Sequence, residues 1–325
     1  MNEKIIVCLL TTALLSITPF VEAQRATKTP KIGVLRAASG PESSPELYLR
    51  AFRELGYVEG KNIAFEFRYS EGKLERLPVL VDELVRLKVD VLVASSTSAA
   101  LAAKNAAKTI PIVFLNVSDP VASGLIDSLP RPGGNITGIA SIDSVLAGKR
   151  LELLKETIPN LSRVAVLWNA QDRGSTQQWN ESQLSARELG LQVHSMEISS
   201  ADKLEGAFKE ASKTLSTALS VTQHPLAASN RKRIVELATK NRLPAIYSRG
   251  DYVTIGGLMS YGTDQAEPSR RVASLVDKIL KGAKPSDLPV EQPTKFELLI
   301  NLKTAKTLGL TIPPVVMMRA EKVIK

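Results

Sequence analysis

Several short polar clusters carry the chemistry this sequence offers, and each comes directly after an apolar run. Ser95-Ser96-Thr97-Ser98 stands between Val91-Leu92-Val93-Ala94 and an Ala-rich stretch at 97–108 that reads as a helix. At a helix start the first backbone N–H groups lack intrahelical partners and the dipole is positive, so the site favours a carboxylate or another anion. Ser96 and Thr97 are its contacts on this reading; they also suit an ordinary helix cap. Asn116, Ser118 and Asp119 follow Ile112-Val113-Phe114-Leu115. Asp119 fits a ligand ammonium, through a charge-assisted bond of about 1.5–3 kcal/mol, or the turn that Asp-Pro commonly opens. Later in the chain Asn169 with the loop 172–176, Gln223 with His224, Ser248 with Asp251, and Tyr261 hold corresponding places, as do Ser39 and Gly40 near the beginning. Tyr261 offers a ring to stack on or a hinge-packing residue. His224, ahead of Pro225, reads as a loop histidine rather than a base.

These clusters meet only if strands and helices alternate, because ligands of open parallel sheets sit beyond the carboxyl ends of the strands. The chain does alternate. A β-rich run at 32–35 precedes a helix capped by Ser44, with Pro45 first and Tyr48, Ala51, Phe52 and Leu55 along one face. Strands are expected at 63–69, 91–94, 112–115 and 136–140, with helices at 77–87 and 97–108 between them. A second series starts near 147, with a helix around 151–157 and strands at 164–168, 191–198, 218–221 and 245–247, separated by helices. Such alternation predicts an α/β protein of two Rossmann-like lobes with parallel sheets. An internal echo supports two related units: Pro111 and Pro244 each precede a strand and are followed, at the same offset, by Gly124-Leu125 and Gly257-Leu258. A third section opens on a capping box of Asp264 and Glu267, runs through a helix with Val272, Leu275, Val276 and Ile279 on one face, and ends in a strand and a short helix stopped by Gly309.

Composition narrows the function. The 325 residues are 44% hydrophobic and 23% charged, which describes an ordinary globular chain of about two domains. Two His and one Cys exclude zinc fingers and His-rich metal sites, and nothing calls for a cofactor or a metal. The net charge of +9 comes from scattered Lys and Arg, with Arg231-Lys232-Arg233 at a helix start, so no nucleic-acid partner is expected. Residues 1–23 read as a cleaved signal peptide: one Lys, an apolar run at 5–17, and Val21-Glu22-Ala23 before the cut. Cys8 leaves with it, and a periplasmic protein is expected. An enzyme on the same scaffold would need a fingerprint that is missing: there is no G-x-S-x-G, no P-loop and no dinucleotide motif after the first strand.

The run Leu288-Pro289-Val290-Glu291-Gln292-Pro293-Thr294-Lys295-Phe296-Glu297, continuing to Pro313-Pro314, resembles the C-terminal signature of exported ABC-transporter substrate-binding proteins of the tryptophan/aromatic-amino-acid-binding type. Phe52-Arg53-Glu54-Leu55-Gly56-Tyr57, Asp119-Pro120-Val121, Pro132-Gly133-Gly134-Asn135-Ile136-Thr137-Gly138 and Lys149-Arg150-Leu151-Glu152-Leu153-Leu154-Lys155 extend the resemblance over the mature chain. It implies a type I periplasmic-binding-protein fold with a multi-crossover hinge, one lobe from 24–143 plus about 263–285 and the other from 144–262 plus about 286–325. It also implies that an Asn or Ser after Trp168 reaches the ligand, whereas this chain reads Asn169-Ala170-Gln171-Asp172-Arg173-Gly174-Ser175, a departure whose Asp and Arg would change the ligand chemistry. The expected partners are a small polar ligand held in the cleft, an amino acid or an aromatic or carboxylate compound, and an inner-membrane permease with its ATPase; the chain itself is expected to be a monomer. An extracytoplasmic sensor would use the same cleft.

Overall fold

The computed structural model describes residues 29–37, 45–264 and 266–325. The proposed leader, Ser39, Gly40 and the Ser44 cap lie outside the described residues. Two sheets form the molecule. In the first, β1 (Lys31–Arg36), β2 (Ala64–Tyr69), β3 (Val91–Ser95), β4 (Ile112–Ser118) and β5 (Ile136–Ser141) run parallel in the order β2-β1-β3-β4-β5. Apolar residues on both faces of the central strands explain why these read as continuous hydrophobic runs. One face packs on α2 (Leu77–Arg86) and α3 (Thr97–Ala106), the other on α1 (Pro45–Glu54) and the late helix α10 (Ala266–Leu280).

The second sheet takes β6 (Arg163–Trp168), β7 (Gln192–Glu197), β8 (Ala218–Val221), β9 (Ala245–Tyr247), β10 (Met259–Thr263), β11 (Phe296–Asn301) and β12 (Lys322–Ile324), ordered β12-β11-β10-β9-β8-β6-β7. Its five strands β7-β6-β8-β9-β10 repeat the order of the first sheet, with β6 in the place of β1. The sheet is flanked by α4 (Asp143–Thr157), α5 (Arg173–Glu188), α6 (Leu204–Lys213) and α8 (Arg231–Lys240). Shorter helices α7 (Pro225–Ser229), α9 (Gly250–Thr254), α11 (Leu302–Thr307) and α12 (Pro314–Met317) fill its ends.

The chain passes between the sheets three times: after Ser141, after Thr263, and between Glu291 and Phe296. On the second passage α10 returns to the first sheet, burying Val272, Leu275 and Val276 against Ile32 and Val34. Each such side chain is worth about 1.5–3 kcal/mol. Val290 and Glu291 then lie along β5, where the Ala140 N–H donates to the Glu291 carbonyl at 2.8 Å and the Glu291 N–H to the Gly138 carbonyl at 3.0 Å. A Cβ at Gly138 would collide with the Phe114 carbonyl, which is why that position of the motif is glycine. Because β10 carries the chain out and β11 brings it back, this neighbouring pair is antiparallel while the rest of the sheet is parallel.

The helix expected around 151–157 begins eight residues earlier, at Asp143. The Ser141 hydroxyl accepts the Asp143 N–H at 3.0 Å and starts it. Glu267 of the expected capping box pairs with Arg271, while Asp264 accepts the Ala266 N–H at 2.9 Å.

Candidate ligand cleft

The carboxyl ends of both sheets face one cavity of about 430 Å³. From the first sheet it is lined by Arg36 at the end of β1, Tyr48 on α1, Ser96 and Thr97, and Asn116 with Ser118 at the end of β4. From the second come Asp172 and Gly174 at the start of α5, Gln223 with His224, and Arg249 with Asp251. Six of the eleven residues singled out from sequence therefore share the cavity: Ser96, Thr97, Asn116, Ser118, Gln223 and Asp251.

Local backbone explains several of these placements. Ser96 sits at φ 141°, a conformation rare for a side-chain-bearing residue and costing about 1–3 kcal/mol. Its hydroxyl accepts the Ala99 N–H at 3.1 Å, so it does cap α3. The Thr97 oxygen accepts the Ser118 N–H at 3.1 Å, which ties α3 to β4 and leaves the Thr97 proton to donate elsewhere. Asn116 adopts φ 56° at an irregularity in β4, where pairing with β5 shifts between Leu115 and Val117. Such a bulge re-aims a side chain at the strand end.

The remaining candidates have other tasks. Asp119 is exposed and its carboxylate accepts the Ala122 N–H at 3.0 Å, so it builds the turn. Asn169 is buried; its side-chain oxygen accepts the Gln171 N–H at 2.9 Å and its own N–H donates to Ser175 Oγ at 2.9 Å. Ser248 donates to Gln223 Oε1 at 2.8 Å and so acts behind the cleft, by orienting Gln223. Tyr261 packs on Phe296 with ring centroids 6.4 Å apart and lies outside the cavity. Asp251 lines the cavity but faces Arg249, with contacts of 2.9 and 3.3 Å.

Among the cleft residues that the sequence reading does not select as contacts are Arg36, Tyr48, Arg249 and Glu297. Arg36 and Arg249 occupy the strand-end positions that the parallel-sheet rule selects. Tyr48 looks like one more member of the α1 core stripe. Glu297 escapes the rule because β11 runs antiparallel, so its first residues, not its last, reach the cleft.

Electrostatics divide the cavity. Burial lowers the pKa of Arg36; Tyr48, whose ring lies 6.0 Å from the guanidinium, opposes this, and Arg249 adds to it. Burial also acts against the charge of Arg249, but the Asp251 carboxylate outweighs it and the pKa is raised. His224 Nδ1 accepts the Ala227 N–H at 3.3 Å, which leaves the proton on Nε2. Burial pushes this imidazole down to about 3, so it is a neutral donor at physiological pH. The Nε2 atom of His224 and the hydroxyl of Tyr48 are both buried with no hydrogen-bond partner among the described residues. Buried polar atoms of folded proteins are nearly always paired, so two such groups on one cavity point to a polar ligand.

Residues 43–324 match the family described as ABC transporter substrate binding protein. The chain belongs to this family. It is 28% identical over 285 residues to the tyrosine-binding protein of Clostridioides difficile (strain R20291), covering 87% of this chain and 82% of that one. The crystal structure of an ABC domain in complex with L-Trp from Streptococcus pneumonia superposes with a TM-score of 0.83 at 29% identity, covering 91% of this substrate-binding protein and all of the other chain. The ligand-free, open structure of a substrate binding protein with adhesive properties from Clostridium difficile has nearly the same identity, 27%, and covers 91% and 99% of the two chains, but its TM-score is 0.63. More distant solved binding proteins, at 12% and 15% identity and TM-scores of 0.57 and 0.59, share the type I periplasmic-binding-protein fold alone.

Proposed function

We propose that this protein is the periplasmic solute-binding component of an ABC importer, closing two lobes on an aromatic amino acid and presenting it to an inner-membrane permease and its ATPase, without turnover. The observation that carries this reading is one cavity lined from both sheets, since only a closed form gains contacts from both lobes at once. The leader at 1–23 agrees with export, and relatives named for tyrosine and solved with L-Trp agree with the ligand class. One lobe takes 24–143 with about 264–291, extended past 285 by the pairing of Glu291 with β5; the other takes 144–263 with the remainder. Ser96, Thr97, Asn116, Ser118 and Gln223 contact the ligand, and the Tyr48 hydroxyl and the neutral His224 N–H supply donors for its oxygens.

The test is a thermal-shift screen of the mature chain against the amino acids and their aromatic acid analogues. At 100-fold over its dissociation constant a ligand stabilises by about 2.7 kcal/mol, which raises the midpoint by several degrees. L-tyrosine or L-tryptophan is expected to do this. A flat response to all aromatic amino acids would sink the reading.

A further inference from the structure

Asp172 is 3% exposed, lines the cavity, and stands where the two sheets meet. It is the N-cap of α5: Oδ1 accepts the Ser175 N–H at 2.9 Å. Ser175 is in turn anchored to the second sheet through Thr222 Oγ1 at 2.8 Å, so the carboxylate is held rigidly. Its other oxygen looks across to the first lobe, where the Ser98 hydroxyl lies 3.4 Å away, too far for a strong bond. Capping needs only an acceptor, which Ser or Asn supplies without charge. The charge on Asp172 therefore does something that capping does not require.

Among the described residues no cation pairs with that charge: of the arginines on the cavity, Arg249 pairs with Asp251 and Arg231 donates to the Ala228 carbonyl at 3.2 Å, and none acts on the Asp172 carboxylate. On α3, Lys104 donates to the carbonyls of Gly124 and Leu125 at 2.8 and 3.0 Å. On α4, Arg150 is turned to Asp143 and to the Tyr261 carbonyl. On α5 itself, Arg173 reaches the Ser123 carbonyl at 3.5 Å, and β4 has no ionisable residue. Burial accordingly raises Asp172 to about 6, with the hydrogen bonds from Ser175, Ser98 and Gly174 opposing. A buried carboxylate without a counter-ion is costly, and a ligand that brings a positive group into the cavity removes that cost.

We infer that Asp172 receives the ammonium group of the ligand, and that this contact makes the protein select amino acids over the corresponding acids that lack the amine. The inference rests on the amino-acid reading above and has its own test. Binding of L-tyrosine and of 3-(4-hydroxyphenyl)propionate is measured by calorimetry for the wild-type chain, Asp172→Asn and Asp172→Ser, both of which keep an α5 cap. The wild type is expected to prefer L-tyrosine, and both variants to lose at least tenfold of that preference while binding the propionate about as before. If the wild type binds L-tyrosine and the variants keep the preference, or lose both ligands equally, Asp172 is a cap only and this inference falls while the function stands. If the wild type binds the propionate and not L-tyrosine, the amino-acid reading itself is overturned, and the ammonium site with it.

Discussion

At the residue scale Asp172 makes a prediction about stability that needs no ligand. Its folded pKa of about 6 lies above the ordinary aspartate value of 3.8, so the folded chain holds this proton more tightly than the unfolded one. The stability it contributes is complete below about pH 4 and is lost as pH rises through 6. Asp172→Asn has no such loss. Urea denaturation from pH 4 to 7 should therefore show the variant gaining on the wild type as pH rises, by on the order of 2–3 kcal/mol. His224, held at about 3, contributes alike to both chains and cancels in the difference. A constant difference between pH 4 and 7 would mean that the carboxylate is not buried in solution. The expected pattern is a residue that costs stability and serves binding, a common bargain at functional sites.

At the element scale the start of α5 comes close to the end of β4 across the cleft. A Cβ at Gly174 would stand 2.8 Å from Ser118 Oγ, across the cleft, and 3.4 Å from Asp172 Oδ1. Within α5 an alanine is favoured over glycine by about 1 kcal/mol, so Gly174→Ala should leave the ligand-free midpoint unchanged or slightly raised. It should nevertheless weaken ligand binding by roughly tenfold, about 1.4 kcal/mol, because the wedge acts only when the lobes are together. Calorimetry beside a thermal melt separates the two effects, and a variant that binds as tightly as the wild type refutes the close approach. The same elements show what was legible beforehand. Strands such as β3 and β4 are apolar runs bounded by turns, so their period and ends are plain, and six cleft residues follow from reading the strand ends. The first two turns of α4 were not legible, because its buried surface includes Arg150 and its sequence includes Gly148, whose Cβ would strike Ser185 Oγ where α4 packs on α5. A charge on the inner face and a glycine inside the helix both erase the periodic signal. Helices of four to six residues, such as α7, α9 and α12, are too short to have a period at all.

At the scale of the whole molecule Arg150 joins two of the three passages between the lobes to the cleft. It is 1% exposed, and its guanidinium pairs with the Asp143 carboxylate just after the first passage. It also donates to the Tyr261 carbonyl at 2.8 Å, two residues before the second passage begins. Gln178, 3.5 Å from the same guanidinium, holds both sides of the Gln223 backbone: it accepts the N–H at 2.8 Å and donates to the carbonyl at 3.0 Å. One buried cation thus ties two passages of the hinge together, and Gln178 beside it holds a residue of the cavity. Arg150→Met should cost about 3 kcal/mol in urea denaturation, mostly because the half-buried Asp143 carboxylate keeps its charge without its partner. Adding Asp143→Asn removes that charge and should recover a good part of the loss, as expected of residues that act as a pair. The double variant is then the informative one for function. It should fold, yet bind its ligand more weakly than the wild type, since the two passages no longer share an anchor. Small-angle scattering with and without ligand should show a smaller compaction than in the wild type. If the double variant binds and compacts like the wild type, Arg150 stabilises the second lobe and has no part in aligning it with the first.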